Sequence, residues 1–520
     1  MKNYKYIGLF LATLAIASCD VNNGLDDIPE VVLPEVELNK NGLDFSKYVS
    51  VGASFTAGFT DNALFFIAQQ NSFPNILASK FGSEFNQPMM NDNIGGLLLN
   101  GQPMLDPITG QNRFAPRLYF NGSGPVTLSA ESTTEITTKV TGGLHNFGVP
   151  GAKSFHFVAP GYGNPAGVPL GLANPYFARM STSANATVLG DAMAQVPTFF
   201  TLSEVGGNDV LGYALSGGSG VNQTGNLNPA TYGSNDITDP NVFASVFNNM
   251  VTTLTSGGAK GVVATVPYIT NLAHFTTVPH NPVPLDAATA AAVNGAYAAY
   301  NAGIQQAFGV LVQLGAMSQA AATAEIAKRR INFTAGAGNA VVIVDENLTN
   351  LGAINPAFAA LPQYRQATSA DLLVLPSSSF IGTTVGGNPQ LINGVTVPLA
   401  DRWVITPQEQ AAIKTATDAY NTTITAIANS NPNVALVDFK AVLEEASAGI
   451  RFDNFNMNTR LVTGGLISLD GVHLTARGYA LMANKILAAM DAKFGTNFTT
   501  ATNGLAKAKD YPTNYSPALR

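Results

Sequence analysis

A serine near one end of this sequence and an aspartate–histidine pair near the other are the side chains best suited to nucleophilic catalysis. Ser54 stands in the glycine-flanked segment Val51-Gly52-Ala53-Ser54-Phe55-Thr56-Ala57-Gly58, directly after an apolar run. Such a turn can present a hydroxyl at the carboxyl edge of a sheet, where a helix N-terminus adds positive potential. Asp470 and His473 share one short loop, so the carboxylate can fix the imidazole tautomer and leave the other ring nitrogen to accept the serine proton.

Two further segments carry groups that could stabilise an oxyanion. Gly151 lies in His145-Asn146-Phe147-Gly148-Val149-Pro150-Gly151-Ala152, and a glycine N–H can approach a developing negative charge closely because no Cβ blocks it. Asn208 lies in Glu204-Val205-Gly206-Gly207-Asn208-Asp209, after another apolar run, and its amide would be a second donor. Each segment taken alone is typical of an ordinary loop.

Short apolar runs that end in turns predict the strands that position these loops. The runs are rich in β-branched residues, as in strands buried on both faces, and they span residues 48–51, 198–202, 261–266 and 434–438. Helical patterns lie between them, including one that opens with the capping sequence Thr406-Pro407-Gln408-Glu409 and one that begins near Thr475 and stops at Gly495. This alternation predicts an α/β protein with a three-layer α/β/α arrangement around a mainly parallel sheet.

Two stretches do not fit a simple alternation of strands and helices. We interpret them as structured insertions or a cap, because long structureless loops are rare inside compact domains. Residues 86–143 are rich in Gly, Asn and Pro and include a Thr-rich, strand-like piece from Thr133 to Thr141. Residues 268–400 begin with an Ala-rich helix from about Asp286 to Phe308. Trp403, the only tryptophan, is either a packing anchor or a wall of the substrate cleft.

The four segments, in this order, resemble four of the conserved blocks of the SGNH/GDSL hydrolase family. The resemblance implies a flavodoxin-like α/β/α fold and ester hydrolysis without a cofactor. It also implies that Ser54 is the nucleophile, His473 the general base and Asp470 the orienting carboxylate, with the oxyanion hole formed by the Ser54 and Gly151 N–H groups and the Asn208 side chain. The family's usual Asp before the serine is Ala53 here, which leaves the local electrostatics open.

The N-terminus has the pattern of a lipoprotein signal. Lys2 and Lys5 precede an apolar run from Ile7 to Ser18 that is shorter than the roughly 20 residues of a membrane span, and Cys19 follows as the only cysteine of the chain. Ile16-Ala17-Ser18-Cys19 resembles a bacterial lipobox, which implies an acylated Cys19. The predicted organisation is a signal peptide at 1–18, an acidic tether at 19–45, a hydrolase domain at 46–497 and a tail at 498–520.

Composition excludes some partners and leaves others open. With a net charge of −7, 11% charged residues and no basic run, the chain lacks the dense positive face that nucleic-acid binding needs. His145, His156, His274 and His280 stand in no metal-binding motif, so no metal or cofactor is expected.

The sequence therefore predicts a lipid-anchored, extracytoplasmic serine esterase, on the outer membrane or cell surface of a bacterium, acting on acylated carbohydrates or lipids. A binding lipoprotein on the same fold is the alternative, although a binder has no need of a base beside a serine. A structural or assembly factor built on the insertions is the third possibility.

Overall fold

Five buried segments form the parallel sheet at the centre of the molecule. In the computed structural model they are β1 (Tyr48–Gly52), β2 (Asn146–Gly148), β3 (Phe199–Ser203), β4 (Lys260–Ala264) and β5 (Val434–Val437). Their order across the sheet is β5-β4-β3-β1-β2, and every neighbouring pair is parallel. Gly52 is level with Gly148 on one side and Ser203 on the other, so the loops after three strands leave the same edge together. The runs predicted as strands are confirmed.

The structure describes residues 35–107 and 109–520. The expected signal peptide, the acylated Cys19 and the tether up to residue 34 lie outside the described residues. Within the described part, no helix has both the length and the apolar character needed to cross a membrane.

Helices follow most of the strands, and the predicted caps at Thr406 and Thr475 and the predicted stop at Gly495 are confirmed. The Ala-rich helix starts after Asp286 as predicted but continues to Gln313, beyond the predicted Phe308. Glu409 accepts a hydrogen bond from the Thr406 N–H at 2.6 Å to close the expected capping box, and Thr475 caps the last helix, which ends at Gly495 with φ of 70°. The helices are α1 (Ser54–Ala57), α2 (Phe66–Gln70), α3 (Phe73–Phe81), α4 (Pro175–Met180), α5 (Val188–Met193), α6 (Asn208–Leu215), α7 (Pro240–Thr255), α8 (Ala273–Thr276), α9 (Ala287–Gln313), α10 (Gln319–Arg329), α11 (Leu351–Ile354), α12 (Ser377–Phe380), α13 (Pro407–Ser430), α14 (Phe439–Ala448) and α15 (Ala476–Phe494).

The helices pack on the sheet in two groups. Helix α15 contacts α3 and β5, whereas α13 contacts α6, α7 and β5. In the second group the rings of Phe243 and Tyr420 stack at 4.4 Å, and the Tyr420 hydroxyl donates to the Thr238 carbonyl at 2.5 Å. The chain is therefore a mixed α/β protein with helices packed around a central parallel sheet.

The stretch 86–143 is structured mainly by hairpins and local hydrogen bonds. Leu98–Leu99 pairs with Gln102–Pro103, and Leu118–Phe120 pairs with Pro125–Thr127. The strand expected from Thr133 to Thr141 is wrong, since only a single bridge between Leu98 and Glu135 forms there. The Glu135 carboxylate accepts from the N–H groups of Asn100, Gly101 and Thr137, so side chain–backbone bonds replace a sheet ladder.

Most of the stretch 268–400 builds a second hydrophobic core, as expected of a structured insertion. Tyr297 of α9 packs there with the buried Val342 and Leu399. Three two-stranded antiparallel pairs surround this core: Val283–Leu285 with Gly336–Asn339, Val342–Val344 with Tyr364–Gln366, and Leu372–Leu373 with Val404–Ile405. Another such pair, Ile450–Phe452 with Phe455–Met457, lies beyond α14.

The folded body is longer than expected at both ends. The compact unit begins at Leu38, and Leu43 and Phe45, which were assigned to the tether, are buried in the main core. The presumed tail also packs on the body: Phe498 is fully buried, and the carbonyls of Ser516 and Leu519 accept from the Arg117 guanidinium. Apolar side chains in both stretches pack in the main core. The charge and Pro content of the first stretch had favoured a flexible tether instead.

Candidate active site

Ser54 occupies the first position of α1, two residues after β1 ends at Gly52. A Cβ at position 52 would lie 2.2 Å from Thr56 Oγ1 and 2.6 Å from the Ser203 carbonyl oxygen, so the turn requires a glycine there. Ser54 is 9% exposed. The Ser54 N–H is one of the donors that the first turn of a helix leaves unpaired, and it has no hydrogen-bond partner among the described residues.

Glu204 holds the Ser54 turn from the end of β3. Its Oε1 accepts from the Ala53 N–H at 2.6 Å and from the Thr56 N–H at 2.9 Å. Burial raises the pKa of Glu204 to about 7, despite these hydrogen bonds, which favour the ionised form. Its φ of 49° is a left-handed conformation that a non-glycine residue adopts at a cost. The backbone at Glu204 is therefore strained at the point where it fixes the turn.

The loop with Gly151 lies against the same turn. The Val149 N–H donates to the Gly52 carbonyl at 2.8 Å. A Cβ on Gly148 would be 2.2 Å from the Ala57 nitrogen, so glycine allows the two backbones to touch. Gly151 has φ of +81°, and its N–H has no hydrogen-bond partner within the described part of the chain.

Asn208 begins α6 directly after the β3 loop and lines the same cleft as Ser54. One of its amide hydrogens is used, because Nδ2 donates to the Ala152 carbonyl at 3.0 Å. A side-chain amide has a second N–H, which can serve a ligand. The fully buried Asp209 accepts from the Ser154 N–H at 2.8 Å and the Ser154 hydroxyl at 2.6 Å, so it ties α6 to the Gly151 loop.

Asp470 and His473 meet as their spacing predicts. The Asp470 Oδ2 atom lies 2.9 Å from His473 Nδ1, and Oδ1 accepts from the N–H groups of Val472 and His473 at 2.8 Å. Burial alone would raise the pKa of Asp470, but the attraction of the His473 ring and these hydrogen bonds outweigh burial and hold the pKa well below its usual range. An ionised Asp470 keeps the Nδ1 proton and leaves Nε2 as the free ring nitrogen.

The segment after α1 is hydrogen-bonded to the loop that carries Asp470. The Asn62 N–H donates to Asp470 Oδ2 at 2.8 Å, and the Leu469 N–H donates to Asp61 Oδ1 at 3.0 Å. The Asp61 N–H in turn donates to the Ser468 hydroxyl at 3.1 Å. Burial, with a contribution from the negative charge of Asp470, raises the pKa of Asp61 to about 7.

The His473 ring contacts two phenylalanines of the segment that carries Ser54. The ring centroids of His473 and Phe59 are 4.6 Å apart, and those of His473 and Phe55, the residue after Ser54, are 5.7 Å apart. No hydrogen bond joins the Ser54 hydroxyl and the His473 ring in the described structure. Catalytic hydrogen bonds of this kind are often long in ligand-free enzymes and shorten when substrate binds.

Trp403 and His274, two other candidates from the sequence, have structural contacts in the described part of the chain. Trp403 does not line the cleft; it stacks on Phe380 at 4.5 Å, as a packing anchor would. His274 is close to the site but buried, with a pKa lowered by burial, and its backbone N–H supports the loop by donating to the Gly471 carbonyl at 2.9 Å.

Three acidic residues could hold a cation by their arrangement. The carboxylates of Glu346, Asp401 and Glu409 lie within 4.8 Å of one another. Burial and mutual repulsion raise the pKa of Glu409 to about 8 and that of Asp401 to about 6. None of the three lines the Ser54 cleft, and Glu409 already closes the cap of α13. The cluster therefore has no part in the chemistry at Ser54.

Three residues that position the site, Asp61, Glu204 and Asp209, were not predicted from the sequence. Glu204 and Asp209 stand within the Asn208 segment, so the signal was a pair of acidic residues next to an apolar strand. No sequence pattern indicated a role for Asp61, because only the fold brings it into contact with Leu469.

Comparison of the chain with protein-family models, with curated proteins and with solved structures gives no match.

Proposed function

We propose that this chain is a serine ester hydrolase of the SGNH/GDSL kind. The proposal rests on one observation above all: Asp470 and His473 are joined at 2.9 Å, and the His473 ring contacts Phe55 and Phe59 in the segment that carries Ser54. An aspartate that orients a histidine next to a serine is the arrangement that generates a serine nucleophile.

The reaction follows from the protonation states. His473 Nε2 takes the Ser54 proton as Oγ attacks the ester carbonyl, and the protonated ring then gives that proton to the departing alkoxide. The products of this half-reaction are the free alcohol and an acyl-Ser54 intermediate. A water molecule, deprotonated by His473, attacks the acyl group, and the protonated ring gives that proton to Ser54 Oγ as the carboxylic acid leaves.

The oxyanion of each tetrahedral intermediate would be bound by three donors. They are the N–H groups of Ser54 and Gly151 and the second amide hydrogen of Asn208. Each is held by a separate element of the fold, and we expect such a hole to form before substrate arrives and to need little reorganisation during the reaction. The Glu204 contacts with Ala53 and Thr56 are part of that preorganisation.

The strand order also supports the proposal. Counted along the chain, the sheet reads 2-1-3-4-5, the flavodoxin-like order, in which ligands bind beyond the carboxyl ends of the strands near the point where the order reverses. Ser54 follows β1, which is one of the strands at that reversal. This order and the four segments together support the proposal of an SGNH fold.

The membrane is a proposed partner through Cys19. The lipobox-like segment Ile16-Ala17-Ser18-Cys19 supports an acylated N-terminus that keeps the enzyme on the outer membrane or cell surface. Labelling of cells with palmitate should mark the chain, and Cys19→Ala should abolish the label and release the protein from the membrane fraction. A Cys19→Ala protein that stays in that fraction would contradict the anchor.

Hydrolysis of nitrophenyl esters by the full chain tests the enzyme proposal. Ser54→Ala should lower kcat/KM at least a thousandfold. Ser377→Ala is a matched control, since Ser377 is also buried, its hydroxyl has no hydrogen-bond partner among the described residues, and it lies outside the cleft. Equal activity of the parent and Ser54→Ala would remove Ser54 as nucleophile, and a folded but inert parent would favour the binding lipoprotein.

A further inference from the structure

A second cavity, open to solvent, lies apart from the cleft of Ser54. It encloses about 620 Å³, against about 110 Å³ for the space beside Ser54, and it falls within the roughly 300–1,000 Å³ usual for small-molecule sites. Its walls come from α2, α3 and the segments 85–89 and 140–144, and the two linings share no residue. Leu144 precedes β2 whereas Gly151 follows it, so the second cavity lies towards the amino end of that strand.

The described residues that line the second cavity carry no charge, but several offer hydrogen-bonding groups. Asn75 Nδ2 donates to the Gln70 carbonyl at 2.7 Å, and Asn86 Nδ2 donates to the Glu84 carboxylate at 2.8 Å. The Oδ1 atoms of both asparagines have no partner in the described part of the chain. Each amide can therefore accept from a ligand and donate a further N–H to it.

Hydrogen bonds behind the lining hold these walls together. Gln87 Oε1 accepts from the Ser72 hydroxyl at 3.1 Å and from Asn146 Nδ2 at 2.9 Å, which joins the segment 85–89 to the start of α3 and to β2. The Asn86 N–H donates to His145 Nδ1 at 2.9 Å. Because these contacts already order the walls, a ligand would have little further ordering to offset.

Phe66 adds an open aromatic surface to the polar lining. Its side chain is 37% exposed, and no other aromatic ring packs on it within the described structure. The face of an aromatic ring is partially negative, so it attracts the partially positive C–H hydrogens of a sugar ring. Phe85 has a different part, since its ring stacks on those of Tyr48 and His145, with centroids 5.2 Å and 6.1 Å away.

Amides beside an open aromatic ring favour one ligand chemistry. A hydrocarbon would leave the amides of Asn75 and Asn86 without partners, which is costly. An ionised ligand would lose hydration without meeting an opposite charge in the lining, and the Glu84 carboxylate beside Asn86 would repel an anion. A sugar offers hydroxyls that both donate and accept, together with an apolar C–H face for Phe66.

We propose that the second cavity is a binding site for a neutral carbohydrate. The inference goes beyond the proposed ester hydrolysis and does not depend on it, because none of the groups that carry it takes part in the chemistry at Ser54.

Electrophoresis of the full chain in gels that contain dextran, arabinoxylan, galactomannan or alginate tests the site. At least one of the three neutral polysaccharides should retard the protein, and the anionic alginate should not. Phe66→Ala should raise the dissociation constant about tenfold, the effect of losing an aromatic contact, and Gln70→Ala should raise it several-fold. Retardation by none of the neutral polysaccharides would overturn the proposal.

Two matched controls separate loss of the site from general damage. Phe120 is 38% exposed and does not line the second cavity, so Phe120→Ala matches Phe66→Ala. Gln313 is an exposed glutamine that ends α9, as Gln70 ends α2, so Gln313→Ala matches Gln70→Ala. Neither control should alter the retardation. Equal effects of Phe66→Ala and Phe120→Ala would contradict a site at Phe66.

Ser54→Ala distinguishes the second cavity from the cleft. Ser54 does not line the cavity, so this variant should bind the same polysaccharide with the same dissociation constant. Loss of binding in Ser54→Ala would place the carbohydrate in the cleft and refute the proposal. Binding of a neutral Gly-Ser peptide, but of no polysaccharide, would refute it in favour of a peptide site. A protein that binds polysaccharide and hydrolyses no ester would refute the enzyme but keep the carbohydrate site.

Discussion

The carboxylate of Glu204 accepts a hydrogen bond from the N–H of Ala53, 2.6 Å away, one residue before Ser54. The same oxygen accepts from the Thr56 N–H at 2.9 Å, two residues after Ser54. One carboxylate oxygen thus binds the backbone on both sides of Ser54. Because it touches backbone rather than substrate, Glu204 is a positioning residue.

Glu204→Ala should lower kcat about tenfold to a hundredfold with a smaller change in KM, since it frees two N–H groups and loosens the turn. Glu204→Gln keeps an acceptor oxygen at the same place and should restore most of the activity. Steady-state kinetics of both variants measure this. If Gln were as damaging as Ala, the charge rather than the geometry of Glu204 would be what matters.

The stability of the protein should depend on pH through Glu204. Burial raises the pKa from 4.5 to about 7, so folding favours the protonated form. Its stabilising effect is complete below pH 4.5 and is lost as pH rises through about 7. Urea unfolding between pH 5 and pH 9 should therefore show a smaller loss of stability in Glu204→Gln than in the parent. Parallel curves for the two proteins would show that Glu204 is already ionised at pH 5.

Asp470→Asn should lower kcat about ten-thousandfold, because an amide no longer holds the Nδ1 proton and the productive tautomer of His473 is lost. Hydrolysis of a nitrophenyl ester measures the effect. A loss of less than tenfold would contradict the orienting role.

Asp239→Asn is the matched control for Asp470→Asn. Asp239 accepts from the N–H groups of Asn241 and Val242 with one oxygen and from that of Gly225 with the other, just as Asp470 accepts from three backbone N–H groups. Only Asp470 also meets a histidine. The two variants should lose similar stability in thermal unfolding, and Asp239→Asn should keep the activity of the parent.

Asn208→Ala should lower kcat a hundredfold to a thousandfold with little change in KM, as expected for a donor that acts on the oxyanion. The lost hydrogen bond to Ala152 should cost about 1 kcal/mol of unfolding free energy, which denaturant unfolding can resolve. A loss of stability without a loss of kcat would restrict Asn208 to a structural role.

Much of the core architecture could be predicted because its signals are local. The β-branched runs that became β1, β3, β4 and β5 are buried on both faces, and the caps at Thr406 and Thr475 use neighbouring residues. The Thr133–Thr141 prediction failed because the Glu135 side chain bonds to nearby backbone N–H groups where a strand ladder was expected. The burial of Phe45 and Phe498 could not be predicted, since each depends on surfaces distant in sequence.

In the candidate site, the contact between Asp470 and His473 could be predicted, but the residues that support it could not. The Asp470–His473 contact follows from a spacing within one loop, whereas the hydrogen bonds of Asn62 and Asp61 to residues 469 and 470 span more than 400 residues of chain. The apolar lining of the cleft was equally hidden, because it comes from five separate segments of the chain.

Covalent labelling tests directly whether Ser54 is a nucleophile activated by His473. The full chain would be treated with a short alkyl fluorophosphonate and its peptides analysed by mass spectrometry, beside His473→Ala and Ser54→Ala. We expect the parent protein to carry one adduct, on Ser54. That adduct should form at least a hundred times more slowly in His473→Ala and be absent from Ser54→Ala. An adduct on another serine, or a Ser54 adduct that forms at the same rate without His473, would contradict it.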